Sequence, residues 1–192
     1  MKRFAINALL LLALASLTLA AAAPVQHEVV VPFSFEKWVD GIIANPNGTN
    51  LTPEQAIEAW KRNMKRSDIS IPTAQGSAFH DKASCSQYVD DDAYVPAAVE
   101  LVNWLAAKGD KECMCRGRTT FARKRRAAIS CKSSNPDLGV ATTCHEIARA
   151  VGSIMDRCTR FQRVQGSLVV DGTHGSHGSI NVWLKSKPIE SE

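Results

Sequence analysis

The chain has 192 residues, a formal net charge of +4 and six cysteines. A charge this close to neutral lacks the electrostatic footprint of a general nucleic-acid-binding protein, so no specific nucleic-acid partner is expected. No segment after residue 23 is apolar enough to span a bilayer, which argues against a transmembrane anchor in the mature protein.

The N-terminus has the pattern of a secretory signal. Lys2 and Arg3 precede an apolar run, and small residues follow it up to Ala23. This order is typical of a cleaved signal peptide, and the apolar run is shorter than the roughly 20 residues of a spanning helix. We therefore predict a signal peptide over residues 1–20, cleavage within 20–23, and a secreted, extracellular protein.

Residues 21–66 contain no cysteine and are predicted to form a helical leader or pro-segment. Apolar residues recur at helical spacing on both sides of a turn at residues 45–48. Thr52, Pro53 and Gln55 have the pattern of a helix N-terminus with a capping box. The helical leader should therefore contain two helices.

Two kinds of modification site lie in the helical leader. Asn47 and Asn50 each begin a glycosylation sequence, and their proximity argues against occupancy of both together. The basic pair Lys65-Arg66 resembles a kexin-type processing site, whose cleavage would release residues 67–192 with all six cysteines. The alternative is that these basic residues complement the dipole at a helix C-terminus.

Residues 67–192 are predicted to form a disulfide-stapled domain of alternating strands and helices. Hydrophobic periodicity and capping signals place the elements in this order: strand 77–86, helix 95–108, strand 111–115, strand 119–132, a helix opening at Thr142 or Thr143 and closing at Cys158, strand 164–171 and strand 179–185. The order predicts an α+β fold, a small α/β sandwich whose antiparallel sheet carries both helices on one face.

An even number of cysteines behind a secretory signal indicates a disulfide framework. The six are Cys85, Cys113, Cys115, Cys131, Cys144 and Cys158. Cys144 and Cys158 cannot pair, because an intact helix would hold them roughly 21 Å apart. Cys113 and Cys115 are also expected not to pair. Several pairings remain, of which we prefer Cys85–Cys158, Cys113–Cys144 and Cys115–Cys131.

The histidines give no strong catalytic motif. His145 begins no two-histidine zinc motif, because Arg149 stands where the second histidine would be. His174 and His177 share a glycine-rich loop and could bind a metal or act in acid–base chemistry, but loops tolerate such residues freely. We expect no catalytic residue, no metal and no cofactor.

The densest cluster of positive charge runs from Arg116 to Arg126. It consists of Arg116, Arg118, Arg123, Lys124, Arg125 and Arg126. Within a strand, alternation would send Arg123 and Arg125 to one face and the other two adjacent cations to the opposite face. Such charges could protect a sheet edge from pairing with other chains. They could equally form a contact surface for an anionic membrane, a channel mouth, a wall polymer or RNA.

Over roughly residues 80–185, the chain resembles the killer-toxin-like secreted proteins of fungi, a group that includes cysteine-rich effectors of plant-associated species. The leader stretches 35–39 and 51–56 look like the N-terminal part of small secreted fungal proteins of unassigned role. Three stretches carry the killer-toxin-like resemblance: Thr143-Cys144 to Arg157-Cys158, Gly178 to Trp183, and the basic stretch 123–126 running into Ile129-Ser130-Cys131. The resemblance implies an α/β sandwich and no enzymatic activity. It also implies that an exposed basic residue within Lys124 to Arg126 contacts the target, since some members block ion channels.

We therefore predict a secreted fungal effector or toxin that acts by binding rather than by catalysis. Its partner would be a protein, membrane channel or wall polymer of a host or competitor. The predicted target-binding residues are Arg116, Arg118, Lys124, Arg125 and Arg126. Two alternatives stay open. One is a protective or inhibitor protein that binds a wall polymer or host enzyme, and the other is a small ribonuclease-like hydrolase that uses His174 or His177.

Overall fold

A computed structural model describes residues 32–67, 82–86, 91–173 and 177–187 of the chain. The predicted signal peptide, most of the predicted strand 77–86 and His174 lie outside the described residues. None of the helices within these ranges is long and apolar enough to cross a membrane.

The described residues form helices and short strands that alternate along the chain. The helices are α1 (Phe35–Ala44), α2 (Pro53–Ser67), α3 (Val95–Ala106) and α4 (Cys144–Cys158). The strands are β1 (Ser84–Cys85), β2 (Ala93–Tyr94), β3 (Glu112–Cys115), β4 (Arg118–Lys124), β5 (Ala127–Ser133), β6 (Val140–Thr143), β7 (Thr159–Arg160), β8 (Arg163–Val164), β9 (Gly166–Asp171) and β10 (Ser179–Lys185).

Local capping signals fix where the helices begin. The capping box predicted for α2 is present, since Thr52 N donates to Gln55 Oε1 at 2.9 Å and Gln55 N donates to Thr52 Oγ1 at 3.3 Å. Of the two threonines considered for α4, Thr143 is the N-cap, and its Oγ1 accepts from Glu146 N at 3.2 Å. Both helix starts therefore follow from side chains near their own N-termini.

An antiparallel sheet of five strands in the order β1-β9-β10-β5-β4 forms the base of the fold. Alternate residues of its central strand β10 are buried, namely Ile180, Val182 and Leu184. They join one hydrophobic core with the apolar faces of α3 and α4. This arrangement confirms the predicted α+β fold with an antiparallel sheet.

The predicted strand 119–132 is wrong, because β4 and β5 are two strands joined by a turn at Arg125-Arg126. The register also shifts between Thr120 and Ala122, which bulges β4. The turn places the adjacent cations in water instead of in the middle of a sheet. The predicted alternation of these cations between two sheet faces is therefore wrong as well.

All six cysteines are paired, and the preferred pairing is confirmed. The Cα atoms of Cys85 and Cys158 lie 5.2 Å apart, those of Cys113 and Cys144 5.0 Å, and those of Cys115 and Cys131 6.2 Å. The first two bonds fix opposite ends of α4, one to β1 and the other to β3. The third joins β3 to β5, so α4 and the sheet are held together by covalent bonds.

The two helices of the helical leader pack into the same hydrophobic core as α3 and α4. Phe35 and Val39 of α1 are fully buried, and Trp60 of α2 packs beside Phe35 with ring centroids 6.1 Å apart. At Gly152 of α4, an added Cβ would come within 2.9 Å of Glu36 Cα, so α1 sits directly on the α4 backbone. Because α1 covers this side of α4, residues outside the predicted apolar stripe, such as Gly152 and Ser153, are buried as well.

Asp156 of α4 binds the N-terminus of α1. Its carboxylate accepts hydrogen bonds from Ser34 Oγ at 2.6 Å, Phe35 N at 2.7 Å and Glu36 N at 3.1 Å. Burial raises the pKa of Asp156, although these hydrogen bonds act in the opposite direction. A carboxylate at a helix N-terminus satisfies free backbone donors and complements the helix dipole. The helical leader is therefore held in place by these hydrogen bonds as well as by its packing in the hydrophobic core.

Asp156→Asn is expected to reduce stability more at about pH 4 than at neutral pH. Because the pKa of Asp156 is raised by folding, the folded state holds this proton more tightly than the unfolded chain does. The contribution of this group to the unfolding free energy is therefore greatest at low pH, and it falls as the pH rises through the folded pKa. Thermal unfolding of both proteins across this pH range measures the effect. A difference in midpoint that does not change with pH would contradict it.

Candidate functional site

The β4–β5 turn presents two of the predicted target-binding residues to solvent. Arg125 and Arg126 are exposed at its centre, between the paired residues Lys124 and Ala127. Arg125 has a φ of 48° at the first central position, where a type II′ turn favours glycine. An arginine at this position is strained, and its side chain is exposed.

The other predicted target-binding residues are not brought to this turn. Lys124 forms an ion pair with Glu100 of α3, so its charge is partly neutralised. Arg118 begins β4 and lies opposite Lys132, roughly 20 Å along the strand from the turn. Arg116 is exposed in the segment between β3 and β4. The predicted set is therefore divided between the two ends of β4.

A second turn, between β7 and β8, carries an exposed aromatic side chain. Phe161 and Gln162 form its centre with φ values of 46° and 64°, the pattern of a type I′ turn. Phe161 is 93% exposed, the highest value among the large hydrophobic side chains of the described residues. Arg160 and Arg163 pair across the hairpin and flank the phenylalanine.

Strand β2 joins these two turns. Tyr94 N donates to Arg126 O at 3.0 Å in the first turn, and Val95 N donates to Gln162 O at 3.1 Å in the second. The Tyr94 ring is 38% exposed, and the guanidinium of Arg163 lies 5.7 Å from its centroid. We call the resulting patch the basic–aromatic surface, whose members are Tyr94, Arg125, Arg126, Arg160, Phe161 and Arg163.

Asp92 is an acid that lies close to the arginines of the β7–β8 hairpin. Burial raises the pKa of Asp92, while the positive charges of Arg163 and Arg160 act to lower it. Asp92 therefore offsets part of the charge on the β7–β8 hairpin. The turn residues Arg125 and Arg126 are exposed to solvent.

Sequence reasoning missed four members of this surface: Tyr94, Arg160, Phe161 and Arg163. The available signal was the stretch Arg160-Phe161-Gln162-Arg163, which begins two residues after the bonded Cys158 and holds an aromatic residue between two arginines. Neither turn contains the glycine or asparagine that usually marks a tight hairpin. The two hairpins, and hence the proximity of their tips, were therefore not predicted.

Two of the five histidines, His145 and His177, lie in the part of the chain that the structure describes, and they lie in different segments. His145 Nδ1 lies 3.0 Å from Asp110 Oδ1 at the start of α4, and His177 is exposed after β9. Among the described residues, no group of three or more His, Cys, Asp or Glu side chains could hold a metal ion. His174, the other histidine of the hydrolase alternative, lies outside the described residues, so that alternative stays untested.

The two glycosylation sequences differ in their surroundings. Asn47 is exposed in the turn between α1 and α2. Asn50 is less exposed, and its Nδ2, the atom that would carry a glycan, donates to Asn45 O at 2.6 Å. Glycosylation stays a prediction, with Asn47 as the more accessible acceptor.

Comparison with known proteins gives a family without an assigned role. No curated protein matches the chain, and no solved structure does. A family model described as "Domain of unknown function (DUF8794)" matches residues 80–186. The match covers the sheet, α3, α4, all three disulfides and the basic–aromatic surface. Because it spans more than half of the 192 residues, the chain belongs to the DUF8794 family.

Proposed function

We propose that this protein is a secreted effector or toxin that acts without catalysis, by binding a target on a host or competitor cell through the basic–aromatic surface. The observation that carries the proposal is the pairing of two solvent-exposed turns, one with Arg125 and Arg126 and the other with Phe161. Exposed aromatic and arginine side chains are the residue types that dominate binding energy in protein recognition.

Backbone strain at both turns supports the same proposal. Arg125, Phe161 and Gln162 all have positive φ, which costs a residue other than glycine roughly 1–3 kcal/mol. Glycine or asparagine would form either turn more easily. Strained positions cluster at functional sites, because selection for a side chain there can outweigh its cost in stability. The likeness to killer-toxin-like proteins agrees with a binding role for the β4–β5 turn.

A second candidate, binding of a wall polymer by a protective protein, is favoured by a different feature. An open cavity of about 370 Å³ lies beside Trp183, where the end of β10 meets β9 and β1. Ser84, Ser167 and Lys185 contribute polar groups to its lining. An aromatic side chain among hydrogen-bonding groups is a combination that suits a polar polymer.

A dose–response on living cells tests the proposed function. The oxidised protein without residues 1–23 would be applied to fungal cultures and plant leaves, with a reduced and alkylated sample as the control. Growth arrest or cell death caused by the oxidised protein alone supports the proposal. Saturable binding to isolated walls without harm to cells would support the protective protein instead.

A further inference from the structure

We propose that the β7–β8 hairpin is an anchor for the surface of an anionic lipid bilayer, with Phe161 entering the interface and the neighbouring arginines binding lipid headgroups. The inference rests on the proposed function, because it names the partner of the same basic–aromatic surface. It goes further by assigning the target to lipid instead of to a protein or a polymer.

The first argument is the position of Phe161. Its side chain is 93% exposed at the tip of a two-residue turn, whereas the other large hydrophobic side chains of the described residues are at most 75% exposed. Cys158, next to β7, is bonded to Cys85, and β8 pairs with β2. The hairpin is therefore held firmly, and the ring projects from a fixed base. An isolated apolar tip of this kind gains free energy by leaving water.

The second argument is the arrangement of charge around that tip. Arg160 and Arg163 lie opposite each other on the hairpin, and Arg125 and Arg126 extend from the adjacent turn. Arginine side chains can place their apolar stems beside an inserted ring while their guanidinium groups stay among phosphates. Tyr94 adds an aromatic ring of the kind enriched at membrane interfaces. This combination is typical of surface-bound proteins that require anionic lipid.

The third argument is the size and shape of the surface. A stable protein interface buries roughly 800 Å² on each partner around a well-packed apolar centre. The two turns instead offer one large apolar tip and four arginines, two on each hairpin. A bilayer interface accepts such a projection because its headgroups adjust to the charges, whereas a protein partner would need a matching pocket.

The test is flotation of the protein with vesicles. One set contains phosphatidylcholine with phosphatidylserine, and the other contains phosphatidylcholine alone. The variant Phe161→Asn with Gln162→Gly installs the residues that a type I′ turn favours, so it removes the apolar tip while supporting the hairpin. Leu138→Asn is the matched control, because Leu138 is 75% exposed in a separate loop. Thermal unfolding of each variant verifies that the fold is kept.

We expect the protein and the Leu138 variant to bind the anionic vesicles and not the neutral ones, and to bind them less as salt is raised. The turn variant should bind at least about tenfold less. Equal binding to both vesicle types, or unchanged binding of the turn variant, would overturn the inference. So would Phe161-dependent binding to RNA or to wall polymer in the absence of vesicle binding.

The two proposals can fail separately. Harm to cells without vesicle binding would overturn the lipid inference and leave the proposed function standing. Vesicle binding without any effect on cells would overturn the toxin or effector role, while the lipid-binding surface would remain.

Discussion

A chain that begins at Ser67 is expected to lose the native fold even with its three disulfides formed. Five large side chains of α1 and α2 would be removed from the core, namely Phe35, Trp38, Val39, Ile42 and Trp60. At about 1.5–3 kcal/mol for each buried side chain, the loss is roughly 10 kcal/mol. Typical domains have a total stability of about 5–15 kcal/mol. The apolar surface left on α3 and α4 would also promote aggregation.

Near-ultraviolet circular dichroism and thermal unfolding measure this loss. The matched control is the protein cut after Arg66 with the fragment retained, since Asp156 and the buried contacts should still hold α1 in place. Cooperative unfolding of the truncated chain at the midpoint of the longer one would contradict the prediction. It would also mean that the helical leader contributes nothing to the core.

This packing bears on the predicted processing site, which stays a prediction. Lys61-Arg62 lies within α2, and Lys65-Arg66 lies in its last turn. A protease needs an extended chain, so cleavage at Arg66 would require the end of α2 to unwind. Cleavage need not release the helical leader, because α1 is bound to α4 through Asp156, and Arg149 Nε donates to Asp40 Oδ1 at 2.7 Å.

The elements that sequence predicted well carry their own local signals. Helix α4 has an N-cap threonine and a clean apolar stripe that ends at Cys158, and β10 alternates between buried and half-buried residues. The length of the same helix excluded a bond between Cys144 and Cys158, which left several pairings open, and the preferred one of these is the observed set. Local sequence signals were sufficient for α4 and β10, whereas the full pairing needed the tertiary structure.

The candidate site depended on features that local patterns do not encode. Arg125, Phe161 and Gln162 adopt positive φ without being glycine or asparagine, so the turns that they form were hidden. Strand β2 has only two residues, Ala93 and Tyr94, yet it brings the two turns together. Such a meeting of distant segments is decided by tertiary packing, which overrides local preference.

Arg125→Gly combined with Arg126→Ser is expected to raise the stability of the protein and to reduce its activity on cells. Glycine suits the φ of 48° at Arg125, so the variant should be more stable by up to about 1 kcal/mol. It should nevertheless lose about tenfold or more of its activity on cells, since both side chains leave the basic–aromatic surface. Lys124 is kept, because its ion pair with Glu100 stabilises the end of β4. Thermal unfolding and the dose–response measure the two effects on one variant.

Arg116→Ser with Arg118→Ser is the matched control, because it removes the same charge at the other end of β4. If activity depends on the basic–aromatic surface, this control should retain most of it. An equal loss in both variants would mean that overall charge governs activity, not the position of Arg125 and Arg126. Full activity of the Arg125 and Arg126 variant would remove the β4–β5 turn from the binding surface. A stable but inactive variant would instead indicate that the strained turn is maintained for binding and not for folding.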